Sequence, residues 1–429
     1  MRAGNGRSHS LQQPESFESF FRKGGATTSL HTSMIPLHVV PLHVVPLIYF
    51  YEADLTTPES LLERYATIRP FAKALHDEGV RVTVVQRFKT DLDFWDGGIR
   101  FRFCVDSCEP ALRKWEIPDS YHSAVRAVCT EDCPPGPVHT AVHLNGLLYP
   151  VQLRALRSAI PHNCSIVVQH HAEAPWSAFA RPIQRWGLRA ADGFFFAAKG
   201  LAASWVDQGL ISEHQSIFQI MEGSNNFRCQ DRVEARGRTG MVGDPVILWV
   251  GRLIPLKDPL TVLEGFTRIL RHAPQARLYM AYGTADVLPA VRERLGASNT
   301  LAEAVTLLGR IEHSQLEDIY NSADYFVLGS HNEGSGFSLA EAMACGVVPI
   351  VTDIPSFRVM TDGGRIGACW RPGSSESFVD KFLAVMSQPL EQLSREAQGF
   401  FQSQLSYKAI ARDAVRAYRE VIAARQSQA

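Results

Sequence analysis

Residues 331–351 read HNEGSGFSLAEAMACGVVPIV, and two carboxylates, Glu333 and Glu341, bracket a small-residue turn. The glycines allow positive φ and let backbone approach a ligand closely. SLAEAMA is a strong helix former, so free N–H groups at about Gly336 to Leu339 should face the cleft. A helix N-terminus behind glycines is an anion site, most often for phosphate. Acids repel phosphate, but carboxylates accept hydrogen bonds from paired hydroxyls, as on ribose or a sugar. Glu341, in the first turns, could reach a ribose, and Glu333 a sugar beyond the phosphates. The plainer alternative is that Glu341 complements the helix dipole and Glu333 is a solvated loop acid. A second cluster is VGRLIPLKDP, where Arg252 ends a strand and Lys257 opens the next helix. Alone it reads as a surface pair; beside the acid-glycine-acid turn it suits a diphosphate.

The elements that must hold these residues alternate. LIYFY (47–51) reads as a first buried strand, SLLERYATIRPFAKALHDEG as one amphipathic helix ending at Gly79, and VRVTVVQRF as a second strand. VHTAVHLNG (138–146), SIVVQHH (165–171) and ADGFFFAA (191–198) continue the strands. CQDRVEARGRTGMVGDP (about 228–244) reads as an interdomain linker. The alternation then restarts with VILWVGRL, ARLYMAYG, VTLLGRI, DYFVLGS and VVPIVTD, helices between them. Such alternation implies two doubly wound α/β domains with a cleft at the carboxyl ends of their strands. The expected division is an extension at 1–33, an N-terminal Rossmann-like domain at 34–235, and a C-terminal one at 236–400. A helix at 401–429 would cross back to the first domain.

VGRLIPLKDP followed by VTLLGRIEHSQLEDIYNSADYFVLGSHNEGSGFSLAEAMACGVVPIV closely resembles the donor domain of retaining GT-B glycosyltransferases of family 4. The E-x7-E element is Glu333 to Glu341, and Arg252 and Lys257 are the cation element. The resemblance is strong over roughly residues 245–380 and weaker before them. It implies a GT-B fold, with a sugar nucleotide such as UDP-glucose or GDP-mannose bound by the C-terminal domain. The acceptor (a glycan, lipid or small molecule) would lie mainly on the N-terminal one, and transfer would retain anomeric configuration without a metal or cofactor. Arg252 and Lys257 would bind the diphosphate, Glu341 the ribose and Glu333 the sugar. Backbone at Gly334, Ser335, Gly336, Phe337 and Ser338 would meet phosphates and sugar. VVQHHAE resembles the strand end that carries a donor-side histidine, which implies His171, with His170 the alternative. Gln169 and Glu173 would lie on the acceptor or donor-sugar side. Trp176 is read either as an acceptor wall or as packing.

The chain departs from that pattern where YFYEADLTTPES replaces a Gly-Gly loop, at MEGSNNF (221–227), and in the position of Phe337 in the turn. No carboxylate is an evident nucleophile, so same-face attack is favoured, the leaving phosphate accepting the acceptor's proton. Competing readings are a sugar-nucleotide epimerase, a glycan phosphorylase (disfavoured, with no lysine motif for pyridoxal) and a catalytically silent nucleotide-sugar binder.

The formal net charge of -1 gives no basic field for nucleic acid. No long apolar run or secretory signal is evident, which leads to a cytoplasmic expectation. The cations beside the aromatics of GLRAADGFFFAAKG leave peripheral contact at the inner membrane face as an option, against a plain buried strand. Cys104/Cys108 and Cys129/Cys133 form C-x3-C pairs among eight cysteines. Reduced thiols are the simplest account, ahead of zinc. The tandem PLHVV at 36–40 and 41–45 is read as a local duplication, so His38 and His43 carry no function.

Overall fold

The computed structural model describes residues 40–131, 138–212 and 214–427. Two sheets form. The first has the order β3-β4-β2-β1-β5-β6-β7-β8. Its strands are β1 (Leu42–Ile48), β2 (Arg81–Arg87), β3 (Leu92–Asp96), β4 (Ile99–Cys104), β5 (His139–Asn145), β6 (Ser165–Gln169), β7 (Gly193–Phe196) and β8 (Ser216–Gln219). All pairings are parallel except the β3–β4 hairpin, which turns on Gly97 and Gly98, both at positive φ. The second sheet has the order β11-β10-β9-β12-β13-β14 and is parallel throughout. It comprises β9 (Val246–Val250), β10 (Arg277–Ala281), β11 (Val305–Gly309), β12 (Tyr325–Leu328), β13 (Val348–Thr352) and β14 (Ala368–Trp370). Central strands such as β6, β12 and β13 are buried along their length. Helices cover both faces of such sheets, so the strands read as continuous apolar runs.

Several expectations need correcting. The first strand is the second PLHVV copy through Ile48, and the aromatics of LIYFY lie beyond the strand. Tyr49 and Tyr51 stay buried, the Tyr49 hydroxyl meeting His122 Nε2 at 2.8 Å and Tyr51 packing edge-on against Phe88, while Phe50 between them is exposed. The first PLHVV copy lies outside the described residues except for Val40, as do residues 1–33 and His38. His43 is buried and bonded to Thr83. The expected long helix is two helices, Pro58–Arg64 and Ile68–Asp77. Pro70 cannot donate an N–H and is tolerated only in a first turn, so the chain breaks just before it.

The expected linker contains a helix, Arg232–Thr239. Asp231 caps its start by accepting from the Glu234 N–H, and Gly240 closes it in the left-handed conformation. Both are ordinary helix boundary signals. Arg236 pairs with Asp324 at 2.7 Å and Arg238 with Asp318 at 2.7 Å, which fastens this helix to the second sheet's domain. A boundary at 235/236 would cut it, so the second domain begins ahead of Arg232.

The aromatics of GLRAADGFFFAAKG form β7, fully buried, so this segment is a core strand and not a membrane surface. Among the described residues, no helix is long and apolar enough to cross a membrane. The Cys129 thiol hydrogen-bonds the Cys164 thiol, pulling the latter's pKa down, while Cys133 lies outside the described residues. Among the described residues, no cluster of three or more His, Cys, Asp or Glu is placed to hold a metal.

After the Leu390–Phe400 helix the chain makes a π-turn over Phe401–Leu405 and enters a long helix, Tyr407–Gln426. That helix packs on the Ile68–Asp77 helix, β5 and β6 of the first sheet. The Tyr418 hydroxyl lies 2.5 Å from His143 Nδ1, and Arg425 pairs with Asp192.

Candidate active site

The cleft between the two sheets is built from strand ends. β9 ends at Val250, and Gly251 and Arg252 follow at its carboxyl end, Arg252 exposed. The chain then makes a short 3-10 turn, Pro255–Lys257, which buries Lys257. Asp258 takes positive φ and caps the next helix by accepting from the Thr261 N–H. β12 ends at Leu328, and the turn from Ser330 brings Glu333 onto Lys257, whose ammonium donates to the Glu333 carboxylate. The Ser330 hydroxyl donates to the same oxygen at 2.7 Å.

Gly336, at φ 59°, starts the Phe337–Ala344 helix, and no side chain caps that end. A methyl group on Gly336 would sit 2.6 Å from the Phe357 ring, and one on Gly334 would sit 2.8 Å from Glu222 Oε1. The glycines therefore serve both turning and close approach. Arg252, Lys257, Glu333, Gly334, Ser335, Gly336, Phe337 and Ser338 line one cavity of about 500 Å³. The order along the chain thus brings cations, acid and uncapped helix end together.

Glu341 sits apart from that lining. Its Oε2 accepts from the Tyr320 hydroxyl at 2.8 Å, and Oε1 faces His313 Nε2 at 3.5 Å. Its hydrogen bond to that imidazole raises the His313 pKa against the lowering effect of burial.

Facing this half is the end of β6. His171 carries more information than its neighbours. Asn145 donates through Nδ2 to the Leu47 carbonyl at 3.3 Å, which turns Oδ1 toward His171 Nε2 at 2.9 Å. The other ring nitrogen, Nδ1, is 2.5 Å from the Glu222 carboxylate. Both ring nitrogens therefore face acceptors, which only an imidazolium satisfies. Burial works against the charge, but the Glu222 carboxylate prevails and the His171 pKa is raised. The same pairing, helped by Ser335, holds Glu222 below its ordinary value despite burial. The Glu222 N–H also reaches Ser335 Oγ at 3.3 Å, across the domain boundary.

His170 is packing. It is buried, stacks on Phe196 at 4.7 Å, and reaches the Glu173 carbonyl at 3.0 Å. Glu173 ties loops: its carboxylate accepts from Leu147 N–H and His171 N–H. Gln169 is buried with its amide on backbone carbonyls. The Trp176 ring lies under Lys114 Nζ at 4.9 Å and lines neither side of the cleft. Glu222, Tyr282 and Arg310 also line the cavity, and none of them is singled out by the sequence. Glu222 lies in MEGSNNF, and only its departure from the family pattern marked the place.

Residues 231–399 match the family model for glycosyl transferases group 1. A D-inositol 3-phosphate glycosyltransferase of Geodermatophilus obscurus is 30% identical over 171 residues, 38% of this chain and 38% of that protein. Mannosylfructose-phosphate synthase of Agrobacterium fabrum is 36% identical over 158 residues, 34% of each chain. The chain thus matches only 34–38% of these two relatives' own length. Sucrose-phosphate synthase of Thermosynechococcus elongatus superposes with TM-score 0.64 at 19% identity, covering 90% of this chain and 100% of that one. That likeness is one of fold and extends over both domains. The chain is a two-domain α/β protein of GT-B fold whose residues 231–399 are similar to the glycosyl transferases group 1 model.

Proposed function

We propose that this chain is a retaining, metal-independent glycosyltransferase that moves a hexosyl group from a nucleotide-diphosphate sugar to an acceptor hydroxyl. The observation that carries the reading is the meeting of Lys257, Arg252 and an uncapped helix N-terminus in one cleft, inside a group 1 domain. Departure of a nucleoside diphosphate builds up anionic charge, and preorganised cations and N–H groups aimed at it lower the barrier. Glu333 neutralises Lys257. An entering diphosphate competes for that ammonium and frees the Glu333 carboxylate for sugar hydroxyls.

The acids lining the cavity are Glu222 and Glu333, and both are engaged by cations. Both ring nitrogens of His171 are turned to acceptors, Asn145 Oδ1 and the Glu222 carboxylate, so the ring presents no lone pair to take the acceptor's proton. The acceptor's proton therefore passes to the departing phosphate oxygen, as same-face attack requires. His171 adds positive charge beside the transferred sugar. Glu341, held by Tyr320, is the group proposed for the ribose.

The test is calorimetry with UDP, GDP and ADP in the presence of a chelator, wild type beside Arg252→Ala and Glu341→Ala. Binding of one nucleotide, lost in both variants, supports the donor site and names the base. An NMR assignment of the product anomer then checks retention. An inverted product, or turnover only with added metal, would overturn that part.

A further inference from the structure

The group 1 match ends at the donor half, so the acceptor has to be read from this chain's own first domain. A second, smaller cavity of about 180 Å³ opens there, lined by Pro46, Ile48, Ile68, Phe71 and Met221, with Tyr65 and Thr67 beside them. It also shares Glu222 with the donor cavity and includes His171, so the two spaces meet at that pair.

Its uncharged polar lining includes the Asn145 and Gln169 amides, both already on backbone carbonyls, the Tyr65 hydroxyl, and His143, 3% exposed. Nδ1 is taken by the Tyr418 hydroxyl from behind, and Nε2, across the ring, has no partner. A buried polar atom without a partner is costly and asks for a ligand to satisfy it. Burial pushes the His143 pKa down to about 3, so the ring is neutral and offers one hydrogen bond and no charge. No lysine or arginine lines the cavity. The cations on the adjoining helices are committed elsewhere: Arg64 to Glu52, Arg69 to Asp96 and Lys73 to Asp77. The one positive group, His171, is already balanced by Glu222.

Resting on the glycosyltransferase reading above, we propose that the reacting end of the acceptor is an uncharged alcohol on an apolar body, with a hydrogen-bonding group toward His143, and not a sugar phosphate. A phosphate dianion here would meet the Glu222 carboxylate with no cation to offset its desolvation. The D-inositol 3-phosphate glycosyltransferase and mannosylfructose-phosphate synthase relatives are named for phosphorylated compounds; this cavity points to a different acceptor class. Five apolar side chains around a space of this size suit a single ring or short alkyl segment.

The experiment is ligand-observed NMR on the full chain with benzyl alcohol and with D-inositol 3-phosphate, alone and in competition. A parallel UDP titration of the wild type tests the donor reading separately. Benzyl alcohol should bind, undisplaced by D-inositol 3-phosphate, and Phe71→Ala should weaken it about tenfold or more through lost apolar contact. Thr67→Arg places a cation at the rim, where the native side chain makes no capping hydrogen bond. It should lower benzyl alcohol binding and create binding of D-inositol 3-phosphate. Binding of D-inositol 3-phosphate to the wild type, or no effect of either variant on benzyl alcohol, overturns the proposal. UDP failing to bind while benzyl alcohol binds sinks the donor reading and leaves the apolar cavity intact.

Discussion

The two walls of the cleft are built on opposite principles. The donor wall gathers charge: Lys257 on Glu333, Arg252 exposed beside them, and an uncapped helix end. The acceptor wall is built of apolar side chains, the amides of Asn145 and Gln169 and a neutral His143. Between them stands one ion pair, His171 with Glu222. Under the proposed function, the contrast teaches that the donor wall would serve a common ligand part, the diphosphate, while the acceptor wall would hold this chain's individuality.

The sharpest way to break this contrast is to remove charge from the donor wall. Lys257→Ala should lower turnover by about 10²–10³-fold, the range for losing one preorganised charge stabiliser. Initial-rate measurement checks it, and a loss under threefold would remove Lys257 from the chemistry. Next comes the boundary pair. Glu222→Gln should return the His171 pKa toward its ordinary value of 6.5 and lower turnover about tenfold.

The pH dependence has a definite sign. His171 has a raised pKa, so its charge contribution is complete below the ordinary value and is lost as pH rises through the raised one. Glu222, lowered from 4.5, contributes above that value and is lost as pH falls through its own depressed pKa. The pair is therefore intact between those limits. Imidazole NMR titration of wild type against Glu222→Gln would show the high-pH limit move down in the variant. An unmoved His171 titration would mean Glu222 does not hold the charge.

A smaller effect is expected at the turn itself. Gly336→Ala forces a side chain into φ 59° and against Phe357, costing about 1–3 kcal/mol of stability. Thermal melts should show it, with nucleotide affinity falling in step. Smallest is Trp176→Ala, which should leave kcat/KM within about twofold, since that ring lines neither wall.

How much of this was legible follows from how each wall is assembled. Glu333, the glycines and the following helix are one continuous stretch, and Arg252 and Lys257 are five positions apart, so spacing exposes them. The acceptor wall is drawn from residues 46–71, 143–145, 169–171 and 221–222, which no spacing links. His143 and Asn145 look in sequence like any strand residues. Their roles appear only when β5 and β6 lie side by side and Tyr418 arrives from the other end of the chain. His170 and His171 were indistinguishable in sequence; alternation along the strand end sends one into the core against Phe196 and the other into the cleft. The helix break at Pro70 and the capped helix at Arg232–Thr239 carry ordinary boundary signals, but the first lies inside a longer apolar period and the second inside a polar, linker-like composition that mask them.

The return of the Tyr407–Gln426 helix to the first sheet means that the polypeptide passes between the halves twice, after β8 and again at the Phe401–Leu405 turn. The last helix is thus a covalent strap that ties the second domain back onto the first sheet.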